Sequence, residues 1–224
     1  MSLTTRELDW INKRMDWYGI KFQEIFDEIA DHIISAIEVE RAAGDQRTID
    51  NVFDKVTERD FGGYLGVDKI VTAYERAYRS RITKGLLENF KFYLKRPGVV
   101  AVMLFALVGF YLPRTKVTVL IMLSGLLLTA IIPLVYAYRN SPRITLDQGK
   151  QSIIESYMKT RALFLLTLIN LILCLFGGAA RTWDIVFLNP INYHPVIYMV
   201  LFVFFIIYGL SIIRLCRQEF KIAK

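Results

Sequence analysis

The sequence has only two histidines and two cysteines among its 224 residues, which restricts the chemistry it can support. Cys174 and Cys216 lie in or beside long apolar runs, so they form no disulfide framework and suit a reducing compartment. His32 and His194 leave few partners for an acid–base pair. The sequence also lacks Gly-x-Ser-x-Gly, phosphate-loop and paired-cysteine motifs. It therefore predicts a protein that is not an enzyme, with no catalytic residues and no cofactor.

Four long runs in the second half lack Asp, Glu, Lys and Arg altogether, at residues 98–112, 117–138, 162–180 and 195–213. A bilayer core about 30 Å thick needs roughly 20 apolar residues of helix, because every backbone polar group must be bonded within the segment. Three runs reach that length, and the shorter first run is separated from the second by only four residues. The sequence predicts an all-α fold in which residues 98–213 form four transmembrane helices, arranged as two hairpins.

The net charge of +7 is unevenly distributed along the chain. Residues 1–75 hold 16 acidic and nine basic residues, whereas residues 76–96 hold seven basic residues and one acid. Positive charge beside a membrane attracts anionic headgroups by about 1 kcal/mol per residue, so membrane lipids are predicted partners and nucleic acid is not. The residues predicted to contact headgroups are Lys91, Lys95, Arg96, Arg139, Arg143, Arg214 and Arg217.

The same basic residues predict the topology. They precede the first run, fill the connection between the second and third runs, and follow the fourth, whereas the opposite loops hold only Arg114, Lys116 and Arg181. By the positive-inside rule, the chain is expected to cross the cytoplasmic (inner) membrane four times, with both termini in the cytoplasm. Because the first residues are acidic and amphipathic, we expect no cleaved signal peptide.

Residues 1–75 are predicted to form a cytoplasmic helical domain, followed by a basic juxtamembrane helix over 76–97, the transmembrane domain, and a basic cytoplasmic tail over 214–224. Thr4 and Glu7 match a capping box, Gly19 is expected to end the first helix, and Thr48 is expected to cap the third. Glycines in residues 61–66 break the chain before a fourth helix that starts near Val67, and Gly85 would allow this helix to bend.

The second predicted helix, residues 21–41, has acidic side chains largely off its apolar stripe. Glu28 and His32 are spaced one turn apart, as two ligands of one metal ion can be. A two-metal bundle needs a second such helix, and no other helix of this domain contains a histidine, so we predict a solvated acidic face and no metal. The candidate residues for binding a protein partner are Glu24, Asp27, Glu28 and Asp31.

Asn170 is the most polar residue within the apolar runs, and it is predicted to make a hydrogen bond between helices. An ion path usually requires intramembrane ionisable groups, and the runs have none. The connection at residues 146–160 suits an interfacial helix and a plain linker equally. The aromatic loop at residues 181–194 is predicted to lie on the outer membrane surface.

The order of features in the first third of the chain resembles the HAAS-type signalling domain and the related permease prefix domains. The matching features are residues 24–37, the Gly44-Asp45 turn, residues 52–56, and Gly62 or Gly66 before the fourth helix. These are bacterial cytoplasmic modules placed ahead of membrane helices and sometimes fused to ABC permeases. The resemblance implies a sensor or adaptor without catalytic residues.

The sequence as a whole predicts a bacterial integral membrane signalling or regulatory protein. Its cytoplasmic module is expected to bind a protein partner, and its transmembrane block to anchor the module or sense a signal; a homo-oligomer is also open. The alternative is a small transporter or an accessory subunit of an ABC permease.

Overall fold

The computed structural model describes residues 3–141, 149–177 and 194–222. These parts are almost entirely helical, which confirms the predicted all-α class for them, and apart from one bridge pair they contain no β-structure. The helices are α1 (Thr5–Met15), α2 (Gln23–Ala42), α3 (Ile49–Phe61), α4 (Gly63–Leu94), α5 (Arg96–Tyr111), α6 (Lys116–Arg139), α7 (Ile153–Gly177) and α8 (Pro195–Ile222). Most of the loop predicted to lie on the outer surface, and Arg143, fall outside the described residues.

The chain divides into two units. The first comprises Met1–Arg81 with Arg143–Ser156, and the second comprises Ile82–Pro142 with Tyr157–Lys224. One boundary between the units falls within α4, after Arg81, and another falls within α7, after Ser156. Each of these helices therefore contributes residues to both units. The first unit therefore extends past residue 75 and takes in the residues just before and at the start of α7.

Local signals set the helix ends of the first unit. Thr4 accepts a hydrogen bond from the Glu7 amide while the Glu7 carboxylate accepts one from the Thr4 amide, which confirms the predicted capping box. A short 3-10 turn follows α1 and ends at Gly19, whose φ of 64° is left-handed. Only Gly62, also left-handed, separates α3 from α4, so the fourth helix begins four residues before its predicted start at Val67.

The core of the first unit forms where the apolar stripes of α1, α2 and α3 meet. Its fully buried members include the stripe of α2 predicted from helical spacing. They are Ile11, Met15, Ile25, Ile33, Ile37, Val52, Phe53 and Val56. The apolar period of the sequence is therefore sufficient to orient these three helices.

In the second unit, α8 is the central helix. Both α5 and α6 pack extensively against α8. In the described residues they do not pack extensively against each other, although the predicted first hairpin requires it. In its most apolar stretch, 44% of α8 is buried, against 28% for α6. Glycines permit this approach, since a Cβ on Gly109 of α5 would lie 2.9 Å from the Val196 backbone. Gly85 of α4 likewise allows the Leu215 side chain to approach closely. The α4 helix continues through Gly85 without a break.

Two described helices are long and apolar enough to cross a membrane, namely α6 and the Pro195–Phe220 part of α8. A third span results if α4 and the Gly98–Tyr111 part of α5, which are bent by 63°, are counted together. The outward surface of these helices is strongly apolar. Its exposed members include Met103, Leu104, Leu107, Leu120, Ile121, Leu128, Ile132 and Val200.

Candidate functional site

The acidic residues predicted to bind a partner do not all share one surface. Asp27, Glu28 and Asp31 are exposed on α2, whereas Glu24 is half-buried and turned into contacts within the first unit. Asp27 accepts a hydrogen bond from the Gln23 side chain at 2.8 Å, and the Glu28 carboxylate lies 3.4 Å from the His32 imidazole. The open acidic face therefore comprises Asp27, Glu28 and Asp31, and we call these three residues the acidic face.

The other end of α2 shows the opposite arrangement. Glu40 accepts hydrogen bonds from Lys55 and Arg59, and these bonds lower the pKa of its carboxyl group. Asp45 pairs with Arg47, which holds the Asp45 pKa far below its usual value, and Lys55 lies 3.6 Å from the same carboxylate. Basic side chains thus compensate the carboxylates at this end, whereas Lys and Arg do not pair with the acidic face in the described part of the chain.

Residues 149–153, which lead into α7, are bound to the first unit, and we call them the latch segment. The Gln23 amide donates to the Gln151 carbonyl at 3.0 Å, and the Gln151 amide donates to the Lys21 carbonyl at 3.0 Å. The Lys150 ammonium lies 2.8 Å from an Asp16 carboxylate oxygen and 3.7 Å from the centre of the Phe26 ring. Backbone, ionic and cation–π contacts therefore hold the same short segment.

Glu24 completes the latch by capping α7. Its carboxylate accepts one hydrogen bond from the Ser152 hydroxyl and another, at 2.9 Å, from the Ile153 amide. The first amides of a helix have no partner within the helix, and its N-terminus carries partial positive charge, so a carboxylate there is stabilising. Ser152 also accepts from the Glu155 amide at 3.3 Å.

The role of Glu24 was missed because its partner lies more than 120 residues away in the chain. The start of α7 was nevertheless visible in the local sequence, because Ser152 and Glu155 have the spacing of a capping box. Over residues 149–160, the connection predicted as an interfacial helix or a linker begins without helix and becomes helical at Ile153. It is the latch segment followed by the first turns of α7, with Ile153 and Met158 fully buried.

An open cleft of about 970 Å³ lies beside the latch segment. Its lining alternates acidic and basic side chains, among them Asp9, Lys13, Asp16, Asp27 and Lys150. One member of the acidic face, Asp27, therefore borders this cleft. Within the described residues, no group of three or more His, Cys, Asp and Glu side chains is placed to hold a metal ion.

Among the described residues, Asn170 makes no hydrogen bond to another helix, although the sequence predicts one. Its side chain is exposed on α7, and its Oδ1 atom accepts a hydrogen bond from the Cys174 thiol of the same helix at 3.1 Å. The buried face of α7 is formed instead by Met158, Ala162, Leu165 and Ile169. Asn170 follows Ile169 and is turned about 100° around the helix from it, which explains why it misses the interior.

Two of the residues predicted to contact headgroups, Arg214 and Arg217, are supported by aromatic rings in the second unit. The Arg214 guanidinium lies 4.1 Å from the centre of the Phe92 ring, and Arg217 donates to the Tyr136 hydroxyl at 3.1 Å. In the described residues no carboxylate lies within 4 Å of either guanidinium. Lys91, Lys95 and Arg139 are exposed, and the side chain of Arg96 falls outside the described part. Sequence reasoning found these cations but not their aromatic supports.

Comparisons of the chain with models of known protein families, with curated proteins and with solved structures gave no match. The resemblance of the first third to HAAS-type and permease prefix domains therefore remains a prediction.

Proposed function

We propose that this chain is a four-span membrane protein of signalling or regulatory function, whose N-terminal unit binds a protein partner through the acidic face. The transmembrane block anchors that unit or passes a membrane event to it. The observation that carries the proposal is that, in the described residues, Lys and Arg side chains pair with the carboxylates at one end of α2 and not with those of the acidic face. Those near residue 40 are neutralised by basic side chains, while the acidic face is left open to a cationic partner.

Membrane placement is supported by the apolar exterior of α5, α6 and α8. Soluble proteins rarely expose contiguous apolar patches larger than a few hundred Å², because such surface favours leaving water. Here long side chains such as Met103, Leu120 and Leu128 are each more than half exposed. Hydrocarbon is the environment in which this surface is stable.

The directions of the helices support four spans. Along α6, Pro133 lies beside Gly209 and Tyr136 beside Arg217, so α6 and α8 run in the same direction. Phe110 of α5 lies beside His194, at the start of α8, so α5 runs the opposite way. If α6 and α8 both cross the bilayer, the chain between them must return across it once. The apolar part of α7 is the segment available for that return.

The basic side chains support the predicted orientation, with both termini in the cytoplasm of a bacterial cell and the chain in its inner membrane. Arg214 and Arg217 follow the apolar stretch of α8, and Lys91 and Lys95 precede that of α5. These positions belong to one side of the membrane in the four-span arrangement.

A population shift is the proposed mechanism. The first unit is joined to the membrane block through α4 and again through α7, and the Glu24 carboxylate of α2 caps the start of α7. A membrane event that changes the conformation of either helix changes the stability of the latch. The partner reads that change through the acidic face, which is on the same helix as Glu24.

The test uses the full-length protein in living cells with a photo-crosslinking amino acid at position 28. We expect a specific protein adduct that is lost in the D27N/D31N variant, because two charges of the acidic face are removed. The matched control is E58Q/D68N, which neutralises two exposed acids elsewhere in the first unit. The proposal is wrong if position 28 gives no adduct, or if the control variant loses the adduct equally.

The transporter alternative makes a separate prediction, namely flux of a solute into liposomes that contain the purified protein. In the described parts of the apolar helices, the hydroxyls of Ser124, Thr167 and Ser211 donate to carbonyls of their own helices. These contacts supply no polar path, so we retain the signalling proposal as the first one to test.

A further inference from the structure

The helix α7 has two distinct faces in its membrane segment. Ala162, Leu165 and Ile169 are buried, while Leu163, Thr167, Asn170 and Cys174 are exposed. At 3.6 residues per turn, the exposed set is centred about 140° around the helix from the buried set. Phe164 and Leu171 of this segment are exposed as well, and the four residues Leu163, Thr167, Asn170 and Cys174 are separated by four, three and four positions, which is the spacing of a seam between two packed helices. We call these four residues the α7 seam.

The α7 seam contains a polar group whose donors have no acceptor among the described residues. The Thr167 hydroxyl donates to the Leu163 carbonyl at 3.1 Å, so Thr167 has its partner within the helix. The Asn170 carbonyl oxygen accepts from Cys174, but in the described residues neither N–H of its amide group has an acceptor. A carboxamide with unpaired donors is unfavourable in hydrocarbon, because lipid tails accept no hydrogen bonds.

We propose that the α7 seam is the contact surface for a second copy of this chain, with Asn170 amides hydrogen-bonded to each other across the interface. The inference rests on the proposed placement of α7 in the membrane. A carboxamide is self-complementary, since its N–H donates to the carbonyl oxygen of an identical group. Amide side chains exposed in membrane helices stabilise helix pairs in this way.

Membrane topology fixes the geometry of such a dimer. Two copies inserted in the same orientation are related by a twofold axis along the membrane normal, so their α7 helices are parallel. Each residue near the axis then faces its own counterpart. Asn170 meets Asn170, and Cys174, one turn further along, meets Cys174. The sequence thus provides a natural cysteine that reports on the interface.

The first experiment is oxidative crosslinking of full-length protein in membrane vesicles with copper phenanthroline. We expect a covalent dimer that reductant reverses and that is absent in C174S, because the other cysteine, Cys216, is fully buried. In the C174S background, L163C lies on the seam and should restore the dimer. The matched control is L128C, which is 64% exposed on α6 and should crosslink only at the level of random collision.

The second experiment measures dimerisation without crosslinking, by energy transfer between labelled full-length copies diluted in liposomes. Removing the amide in N170L should weaken association by about 5- to 30-fold, the range that interhelical amide bonds contribute in model peptides. N170Q keeps a carboxamide and should retain most of the affinity. Because Asn170 is exposed and its one hydrogen bond to a described residue lies within its own helix, circular dichroism should show that both variants remain folded.

The outcomes separate this inference from the proposed function. Resistance to alkaline extraction and protection of Cys174 from a membrane-impermeant maleimide test whether α7 is embedded. An embedded protein that stays monomeric, dimerises equally in N170L, or crosslinks Cys174 to a different protein contradicts self-association alone. A protein that is extracted and labelled contradicts the membrane placement on which both depend.

Discussion

The clearest test of the latch is the removal of the Glu24 carboxylate. Glu24 accepts hydrogen bonds from the Ser152 hydroxyl and the Ile153 amide, and both are lost in Glu24→Ala. Hydrogen bonds to charged groups contribute about 1.5–3 kcal/mol each, and a helix cap contributes about 0.5–2 kcal/mol. Since Glu24 is half-buried and partly screened by water, we expect a total loss of about 2 kcal/mol.

This loss should appear as local opening rather than global unfolding. The core of the first unit does not include Glu24, so opening of the latch segment leaves α1, α2 and α3 packed. A change of about 2 kcal/mol corresponds to roughly 30-fold faster amide exchange at the start of α7. The measurement is hydrogen exchange of the full-length protein in nanodiscs, followed by mass spectrometry of peptides covering residues 149–156.

Two further variants make the result specific. Glu28→Ala removes an exposed carboxylate one turn along the same helix and should leave exchange at residues 149–156 unchanged. Ser152→Ala should accelerate exchange, and combining it with Glu24→Ala should add less than the sum, because the two side chains share one bond. Unchanged exchange in Glu24→Ala, or full additivity in the double variant, would refute the latch.

Three other predictions concern pH, lipids and topology. Hydrogen bonding lowers the folded-state pKa of Glu40 and Asp45. The stability that these carboxylates contribute is therefore present above their unfolded pKa of about 4 and is lost as the pH falls through their folded pKa. The temperature of thermal unfolding should fall between pH 7 and pH 2, and it should fall less in the E40Q/D45N variant. The R214Q/R217Q variant should bind phosphatidylglycerol about 30-fold more weakly by native mass spectrometry, at about 1 kcal/mol per cation, whereas neutralising Arg114 and Lys116, at the opposite end of α6, should not weaken binding. An N192C variant in the C174S background should be labelled by an impermeant maleimide from outside intact cells, and failure to label beside a working control would contradict the four-span topology.

The sequence predicts the first unit well because its signals are local. The capping box at Thr4, the left-handed Gly19 and the apolar stripe of α2 each involve residues within a few turns of one another. Such features depend on backbone geometry and helical period, which are encoded in neighbouring residues. The early start of α4 is a boundary effect, since the consecutive left-handed glycines Gly62 and Gly63 end α3 and begin α4 with only one residue between the helices.

The arrangement of the second unit was not predictable in the same way. All four apolar runs are free of charge, so hydropathy alone does not reveal which of them is central. Which helix is central depends on where small residues allow two backbones to approach, as at Gly109 beside Val196 and at Gly209 beside Pro133. Adjacent runs joined by a short loop suggested a hairpin, yet packing against α8 is the more extensive contact for both α5 and α6.

The latch changes what can be learned from an isolated N-terminal fragment. A fragment ending at residue 80 contains α1, α2 and α3 but lacks the latch segment that contacts them. Glu24 would lose both of its donors and become a fourth open carboxylate beside the acidic face, and Phe26 would lose the Lys150 ammonium over its ring. Such a fragment presents a more negative and more apolar surface than the whole chain does. Basic proteins captured by the fragment but not by the full-length protein would therefore report the missing latch, and a genuine partner must bind both.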